Sequence, residues 1–379
     1  MTYAKATLTL TGALSRFVKL SPCEPDHRRD VRVTAILASV FGKTDRGRSR
    51  DHNEDTFLVA DLSTGNASLL PEVREHEIGP RGSLFMVADG MGGAVAGELA
   101  SEMAADLIYR HLATEWATDP DTSPERFAFR MREAVELANA RIYSYAKEHP
   151  EVRGMGTTVT AAGVYGADLY LTQIGDSRAY LVRKGEAIQL TKDQSLMQRL
   201  VDAGELTEEE AARSERRNII LQALGPDSQV NVDLTHQVLR RGDTLVICSD
   251  GLSGLVRKEE FAEQVVEHSH LDSLCTALIE LANERGGPDN ITVVAARFGG
   301  TGLPEPSETE DVGYQVFDLP GEEAAEADAI PPAAVAPAVV APDPVVPPPT
   351  RAPPAGRWRG LLLAIAALCL LAAALAFWL

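Results

Sequence analysis

Cysteine is scarce in this 379-residue chain: Cys23, Cys248, Cys275 and Cys369 are widely scattered, with no Cys-x-x-Cys pair and no histidines at zinc spacing. That scarcity argues against a disulfide framework or a cysteine–histidine zinc site and fits a reducing compartment. Basic tracts are missing as well. No run of Lys or Arg is long enough to follow a phosphate backbone, so nothing supports nucleic-acid binding. The apolar residues of the first twenty positions are interrupted by Thr, Gly, Ser and Arg, unlike a secretory signal. Between Phe298 and Thr350 there is no Lys or Arg, yet ten Asp or Glu fall there, about half of the formal net charge of -19.

What is present divides the chain into four parts. Residues 1–30 read as an irregular leader. From 31 to 298, short runs rich in Val, Ile, Thr and Tyr alternate with helix-period stretches. Strands are expected at Val33–Phe41, Thr56–Ala60, Leu84–Ala88, Thr157–Tyr165, Asp168–Ile174, Ala179–Arg183, Val230–Val238, Thr244–Cys248 and Ile291–Phe298. Apolar stripes predict helices around 96–108, 131–145 and 271–281. Strands cluster between helix pairs, so the expected class is α+β with largely antiparallel sheets. Residues 299–357 hold thirteen of the 22 prolines among Ala, Val and acids, the composition of a disordered linker. The uncharged run from Leu361 to Leu379 is long enough, at about 1.5 Å per residue, to cross a bilayer core, so 358–379 is expected to form a transmembrane anchor. Trp358 and Trp378 stand at its two ends, and Arg351, Arg357 and Arg359 on its N-terminal side. The positive-inside rule then places the globular part in the cytoplasm, tethered to the inner or plasma membrane by a single C-terminal pass.

The stretch Arg50–Phe57, RDHNEDTF, concentrates polar groups just where a strand should begin. Standing alone it reads as a solvated loop. Four further aspartates sit at strand edges beside small residues. Asp89-Gly90 and Asp250-Gly251 each follow an apolar strand; an Asp-Gly pair is also a leading hairpin signal. Asp176 in QIGDSRAYLV and Asp289 in GGPDNITVV are compatible with ordinary turn chemistry. Together with Asp55, however, they make a set of carboxylates that would repel one another unless a cation neutralised them. Oxygen donors without His or Cys point to a hard ion, Mg²⁺ or Mn²⁺.

Arg-x-x-Asn-Glu-Asp, Asp-Gly-Met-Gly-Gly, Gly-Thr-Thr, Gly-Asp-Ser-Arg, Ser-Asp-Gly-Leu and Asp-Asn, in that order over residues 33–298, resemble the metal-dependent protein phosphatases of type 2C, the bacterial branch most closely. The resemblance implies two packed antiparallel sheets flanked by helix pairs, a four-layer sandwich. It implies that Asp55 bridges two metal ions, that Glu54 helps hold their water shell, and that Asp89 and the carbonyl of Gly90 complete one metal's contacts. It places Asp250 and Asp289 on the other metal, Asn290 nearby, and Asp176 on a weaker third ion. Arg50 would bind the substrate phosphate, and a metal-bridged hydroxide would hydrolyse phosphoserine or phosphothreonine in line. The implied partners are phosphorylated proteins and a membrane-bound serine/threonine kinase. The alternative reading is a catalytically silent relative that only binds phosphoproteins. Three positions depart from the resemblance. Met91 stands where eukaryotic members carry histidine, leaving protonation of the leaving group to metal-bound water or His52. Gln194 stands where many members have His, at the start of a flap expected over 194–218. Gln222 stands where members usually have Arg.

Overall fold

Side chains that alternate across the strands decide the layers. The computed structural model describes residues 34–67, 74–214, 216, 219–307 and 311–320. The expected leader and anchor lie outside them. Among the described residues, no helix is long and apolar enough to cross a membrane.

The chain runs through β1 (Leu37–Asp45), β2 (Asp55–Asp61), β3 (Asn66–Ala67), β4 (Glu75–Glu77) and β5 (Ser83–Met91) into α1 (Ala94–His111) and α2 (Pro124–Glu148). Then come β6 (Gly156–Thr157), β7 (Val159–Tyr165), β8 (Asp168–Ile174), β9 (Arg178–Arg183) and β10 (Glu186–Gln189). Two short helices follow, α3 (Leu196–Asp202) and α4 (Glu208–Ala212), then β11 (Asp233–Val238) and β12 (Thr244–Cys248). The last elements are α5 (Asp250–Ser253), α6 (Lys258–Glu267), α7 (Leu271–Glu284) and β13 (Ile291–Gly299). One sheet has the order β10-β9-β12-β13-β1-β4; the other has β11-β8-β7-β5-β2-β3, with β6 on β5. Every ladder between these strands is antiparallel, as expected.

Successive residues serve opposite faces. Phe85 and Val87 of β5 meet Leu181, Leu245, Ile247, Val294 and Ala296 in the core between the sheets. Their neighbours Leu84, Met86 and Ala88 face outward onto Ala100, Ala104 and Ile108 of α1 and Phe127, Met131 and Val135 of α2. On the far side, Val293 and Ala295 of β13 and Val246 and Cys248 of β12 pack on Phe261 of α6 and Leu274 and Leu278 of α7. This is the expected four-layer sandwich. Helix α2 starts where Ser123 caps it, its side chain accepting from the Arg126 N–H at 3.2 Å, with Pro124 at the first helical position.

Local boundaries differ from expectation. The first strand begins at Leu37 rather than Val33 and runs on to Asp45, because its partner β13 pairs along that whole length. Strand β10 and helix α6 were not legible, their apolar stripes being too short. The expected linker also begins later than 299. Leu303 is buried in the intersheet core. Residues 313–317 lie along the edge strand β11, with His236 N–H donating to Gln315 O at 3.0 Å and Phe317 N–H to Leu234 O at 2.9 Å. Phe317 then packs on Tyr170 and His236, and Leu319 is buried against the helix-side core. An open sheet edge and an apolar groove beside it offer these residues pairing that their own composition does not announce.

Candidate metal and phosphate site

Asp55 is the first residue of β2 and Asp89 lies near the end of β5, and the two stand directly opposite in the ladder. The Asp89-Gly90 pair is therefore no hairpin turn: the strand continues to Met91, paired with β6, before α1 begins. Asp250 opens α5 directly after β12, and Asp289 precedes β13. Because β12 and β13 pair antiparallel, both residues come to the same edge of their sheet. Asp176 lies in the turn between β8 and β9, strands that belong to different sheets, so this turn is a crossing between layers and not a hairpin. All the expected carboxylates thus arrive at one edge of the sandwich.

Asp55 is buried, and its Oδ2 accepts from Ser249 Oγ at 2.9 Å and Thr292 Oγ1 at 2.6 Å. Its Oδ1 is buried with no hydrogen-bond partner, as is Oδ1 of buried Asp176. Burial, opposed by those two hydroxyls and reinforced by Asp250 and Asp289, pushes the Asp55 carboxyl up to about 7. Burial and the charges of Asp250 and Asp193 push Asp176 up to about 8. Asp89 is raised by burial and then by Asp55, Asp250 and Asp176; Asp250 is raised by burial and then by Asp289. Glu54 is raised by its partial burial, with Arg50 opposing. Carboxylates raised first by burial and then by neighbouring acids, two of them with a buried oxygen lacking a partner, fit hard cations with oxygen ligands. Gly90 fits too: a Cβ there would stand 2.3 Å from the Gly97 carbonyl oxygen and 2.5 Å from that of Glu54, so only glycine lets these backbones meet.

Arg50 is half-exposed at the rim and donates from Nη2 to Asp289 Oδ2 at 2.8 Å. The residue expected on the substrate phosphate is thus partnered with one expected on a metal. Partial burial works against its charge, but the bond to Asp289 holds it protonated. His52 is exposed, close enough to Glu54 to favour its ionisation, and its carbonyl accepts from Asn290 Nδ2 at 2.9 Å.

Most of the supporting residues stand in the quoted motifs, and the structure gives them their contacts. Asn290 accepts from the Glu54 N–H at 2.8 Å and donates to the carbonyls of Arg46 and His52, so it fastens the Arg50–Glu54 loop. Asn53 accepts from the Asp55 N–H and donates to Thr44 Oγ1, which explains an amide in a stretch otherwise given to charge. The Gly-Thr-Thr motif holds the Asp89 backbone: Thr157 Oγ1 and the Thr158 N–H both donate to the Asp89 carbonyl, and the Asp89 N–H donates to Thr158 Oγ1. Of the partners of Asp55, Ser249 opens the Ser-Asp-Gly-Leu motif, while Thr292 stands two residues after Asn290 and belongs to no quoted motif. The flap region is built of α3 and α4, each N-capped by a hydroxyl, Ser195 and Thr207.

A groove of about 980 Å³ runs from Arg50, Asp250 and Asp289 past Asp176 and Arg178 to Gln198 and Glu208 of the two flap helices and Lys258 of α6. Its volume exceeds what a phosphate alone requires.

Comparison with known proteins agrees with this geometry. The family described as Protein phosphatase 2C matches residues 74–286. A serine/threonine phosphatase, stp, of Listeria monocytogenes is 37% identical over 253 residues, covering 66% of this chain and 92% of that protein. The serine/threonine protein phosphatase PstP of Mycobacterium tuberculosis is 38% identical over 270 residues, which is 70% of this chain but only 46% of the relative. Among solved structures, a Streptococcus agalactiae serine/threonine phosphatase superposes with a TM-score of 0.60 at 35% identity, covering 69% of this chain and 99% of that one. The PstP catalytic domain in complex with two manganese ions superposes with a TM-score of 0.57 at 35% identity, covering 70% of this chain and 99% of that one. With its six motifs gathered at one sandwich edge, the family model matched over 74–286, and the stp relative and both solved structures covered to 92–99% of their length, the chain belongs to the type 2C protein phosphatase family.

Proposed function

We propose that this chain is a metal-dependent protein serine/threonine phosphatase that removes phosphate from phosphoserine and phosphothreonine in proteins while tethered to a membrane. The observation that carries the catalytic reading is Asp55, opposite Asp89 in the ladder, with one oxygen held by Ser249 and Thr292 and the other buried and unpartnered. Two Mn²⁺ or Mg²⁺ ions, when bound, supply positive charge for the phosphoryl oxygens and acidify the attacking water. Asp55, with one oxygen left without a hydrogen-bond partner, would help to hold both ions. Asp89 and the Gly90 carbonyl would serve one of them, Asp250 and Asp289 the other, with Glu54 holding the surrounding water and Asp176 a weaker third ion. Arg50 would leave Asp289 to take the substrate phosphate, a planar donor set suited to two phosphoryl oxygens. The sandwich interior keeps bulk water off Asp55 and Asp176, which strengthens the charge interactions of those two carboxylates.

The silent-relative alternative is disfavoured because Asp55, Asp89, Asp250, Asp289 and Arg50 are all present and meet at one edge. Hydrolysis of a phosphothreonine peptide with Mn²⁺, abolished by excess chelator, tests the catalytic reading; absence of turnover with Mn²⁺ would refute it.

The membrane reading rests on the uncharged run 361–379 with Arg351, Arg357 and Arg359 before it. The catalytic domain would then lie on the cytoplasmic side of the inner or plasma membrane, within reach of a membrane-bound kinase and its substrates. The full chain is expected to sediment with membranes and to resist salt extraction. Protease added outside spheroplasts should leave the catalytic domain intact; digestion there would overturn the orientation.

A further inference from the structure

The hairpin between β9 and β10 turns at Lys184-Gly185, with Arg183 and Glu186 paired across it. Both turn residues have positive φ, 54° and 81°, and Lys184 is the single non-glycine with positive φ among the described residues. Asn-Gly or Gly-Gly is the usual choice for such a turn, because a larger side chain crowds the left-handed backbone. A lysine there works against local preference. Its exposed ammonium donates to the Ser307 carbonyl at 3.0 Å, a neutral partner. Beside it opens a cavity of about 340 Å³, lined in part by Lys184, Arg297 and Ser269 and by Val182, Val265 and Val266. Among the described residues, no carboxylate lines it.

Arg297 is the second cation of the cavity. It stands in β13 opposite Thr244 of β12 and is partly buried. Its Nε donates to Thr244 Oγ1 and its Nη2 to the His268 carbonyl, both at 3.3 Å, and its Nη1 donates to the Ser269 carbonyl. These acceptors are all neutral, and they take three of the five N–H groups that a guanidinium carries. Burial holds this guanidinium below its ordinary value, and no acid opposes the shift. A partly buried cation without a counter-charge is costly, since burial disfavours its charged form. An oxyanion received by the two remaining N–H groups and by the Lys184 ammonium would offset that cost. The cavity is also remote from the metal edge. From Ile291, beside Asp289 and Asn290, to Arg297 the strand β13 advances roughly 20 Å, at about 3.3 Å per residue.

We propose that the cavity between the Lys184-Gly185 turn and Arg297 is a second phosphate-binding site, which takes a phosphoryl group either free in solution or carried on a protein side chain. Two cations suit the dianion of a phosphate better than the single charge of a carboxylate. Arg297 supplies a planar fork for two of its oxygens, and Lys184 supplies a mobile point charge. Val182, Val265 and Val266 give the same cavity an apolar lining. The carbon chain of a phosphorylated side chain can cover that lining, and inorganic phosphate cannot. No residue of the metal edge takes part, so the site binds its ligand whether or not the metal centre turns over.

The test is calorimetry on the full chain in chelator at constant ionic strength. The probes are inorganic phosphate, a phosphothreonine peptide and the same peptide unphosphorylated. Without metal, the carboxylates around Asp55 repel an anion, so phosphate binding then reports the cavity. Wild type is expected to bind one equivalent of phosphate or of phosphopeptide and none of the unphosphorylated peptide. Arg297→Gln should weaken that binding about tenfold, and Lys184→Gly about threefold. Lys184→Gly suits the positive φ of the turn, and it carries the test by itself if Arg297→Gln does not fold. Arg50→Ala, at the metal edge, should leave the affinity unchanged. A phosphopeptide bound more tightly than inorganic phosphate would support a protein-borne phosphate as the ligand; equal affinities would support free phosphate. The inference would be overturned by no binding to wild type at millimolar phosphate or phosphopeptide, or by affinities that neither cavity variant moves. Loss of the affinity in Arg50→Ala would place the anion at the metal edge and overturn it as well.

Discussion

Replacing Asp55 by asparagine separates metal binding from folding, and the two are expected to move in opposite directions. The side chain is buried and its carboxyl is pushed up to about 7, from an ordinary value near 4. A carboxylate raised in this way destabilises the folded state as pH rises, because between the two values the folded protein binds the proton that the unfolded chain has released. The penalty is absent below about pH 4 and fully developed above about pH 7, where a shift of this size amounts to on the order of 4 kcal/mol. Asparagine keeps an oxygen for the hydroxyls of Ser249 and Thr292 and presents N–H donors to the neighbouring carboxylates in place of a charge. In chelator at pH 8, Asp55→Asn is therefore expected to melt several degrees above wild type, taking about 2–4 °C per kcal/mol for a domain of this size. At pH 4 the two should coincide. With Mn²⁺ the order reverses: wild type gains stability by ligand linkage, the variant gains little, and its turnover falls by at least about a hundredfold. Differential scanning fluorimetry across pH, with chelator or Mn²⁺, reads all of this. A variant that melts at or below wild type in chelator at pH 8 would refute the view that a repelling carboxylate cluster awaits cations here.

Arg50→Ala should lower kcat/KM for a phosphopeptide by about a hundredfold while leaving Mn²⁺ affinity equal or higher, since Asp289 is released from its 2.8 Å ion pair; parallel losses in both would make Arg50 a structural partner of the acids. Asp243→Ala removes the carboxylate paired at 2.7 Å with the buried Arg183 guanidinium, and should cost about 3–5 kcal/mol in urea unfolding with little direct effect on chemistry. A chain ending after Gly299 should be markedly less stable than one ending after Pro320, because it loses the buried Leu303 and Leu319 and the packed Phe317, at about 1.5–3 kcal/mol for each fully buried side chain; equal melting temperatures would show that residues 300–320 contribute nothing.

The sequence by itself determined the alternation of strand and helix patterns, hence the α+β class with antiparallel sheets, and it set Asp55, Asp89, Asp176, Asp250 and Asp289 at strand edges; the two-sheet sandwich and the roles of Glu54, Gly90 and Arg50 came with the family resemblance, whose short motifs are made of local neighbours. Local signal ends there. Whether Asp176 shapes a hairpin or reaches the metal edge depends on β8 and β9 joining different sheets, and the turn reads the same in both cases. That Asp55 faces Asp89, that Ser249 and Thr292 claim one oxygen of Asp55, and that Asn290 fastens the loop of Arg50 are contacts between residues far apart in the chain, decided by strand register. The segment 299–320 is the clearest case. Composition marks it as linker, with proline and acid throughout, yet Leu303 is buried in the core between the sheets, and Phe317 and Leu319 are held beside the edge strand β11 against the helix-side core. Periodicity reports what a segment can do alone; only the packed sheets provide the partner that makes it do so.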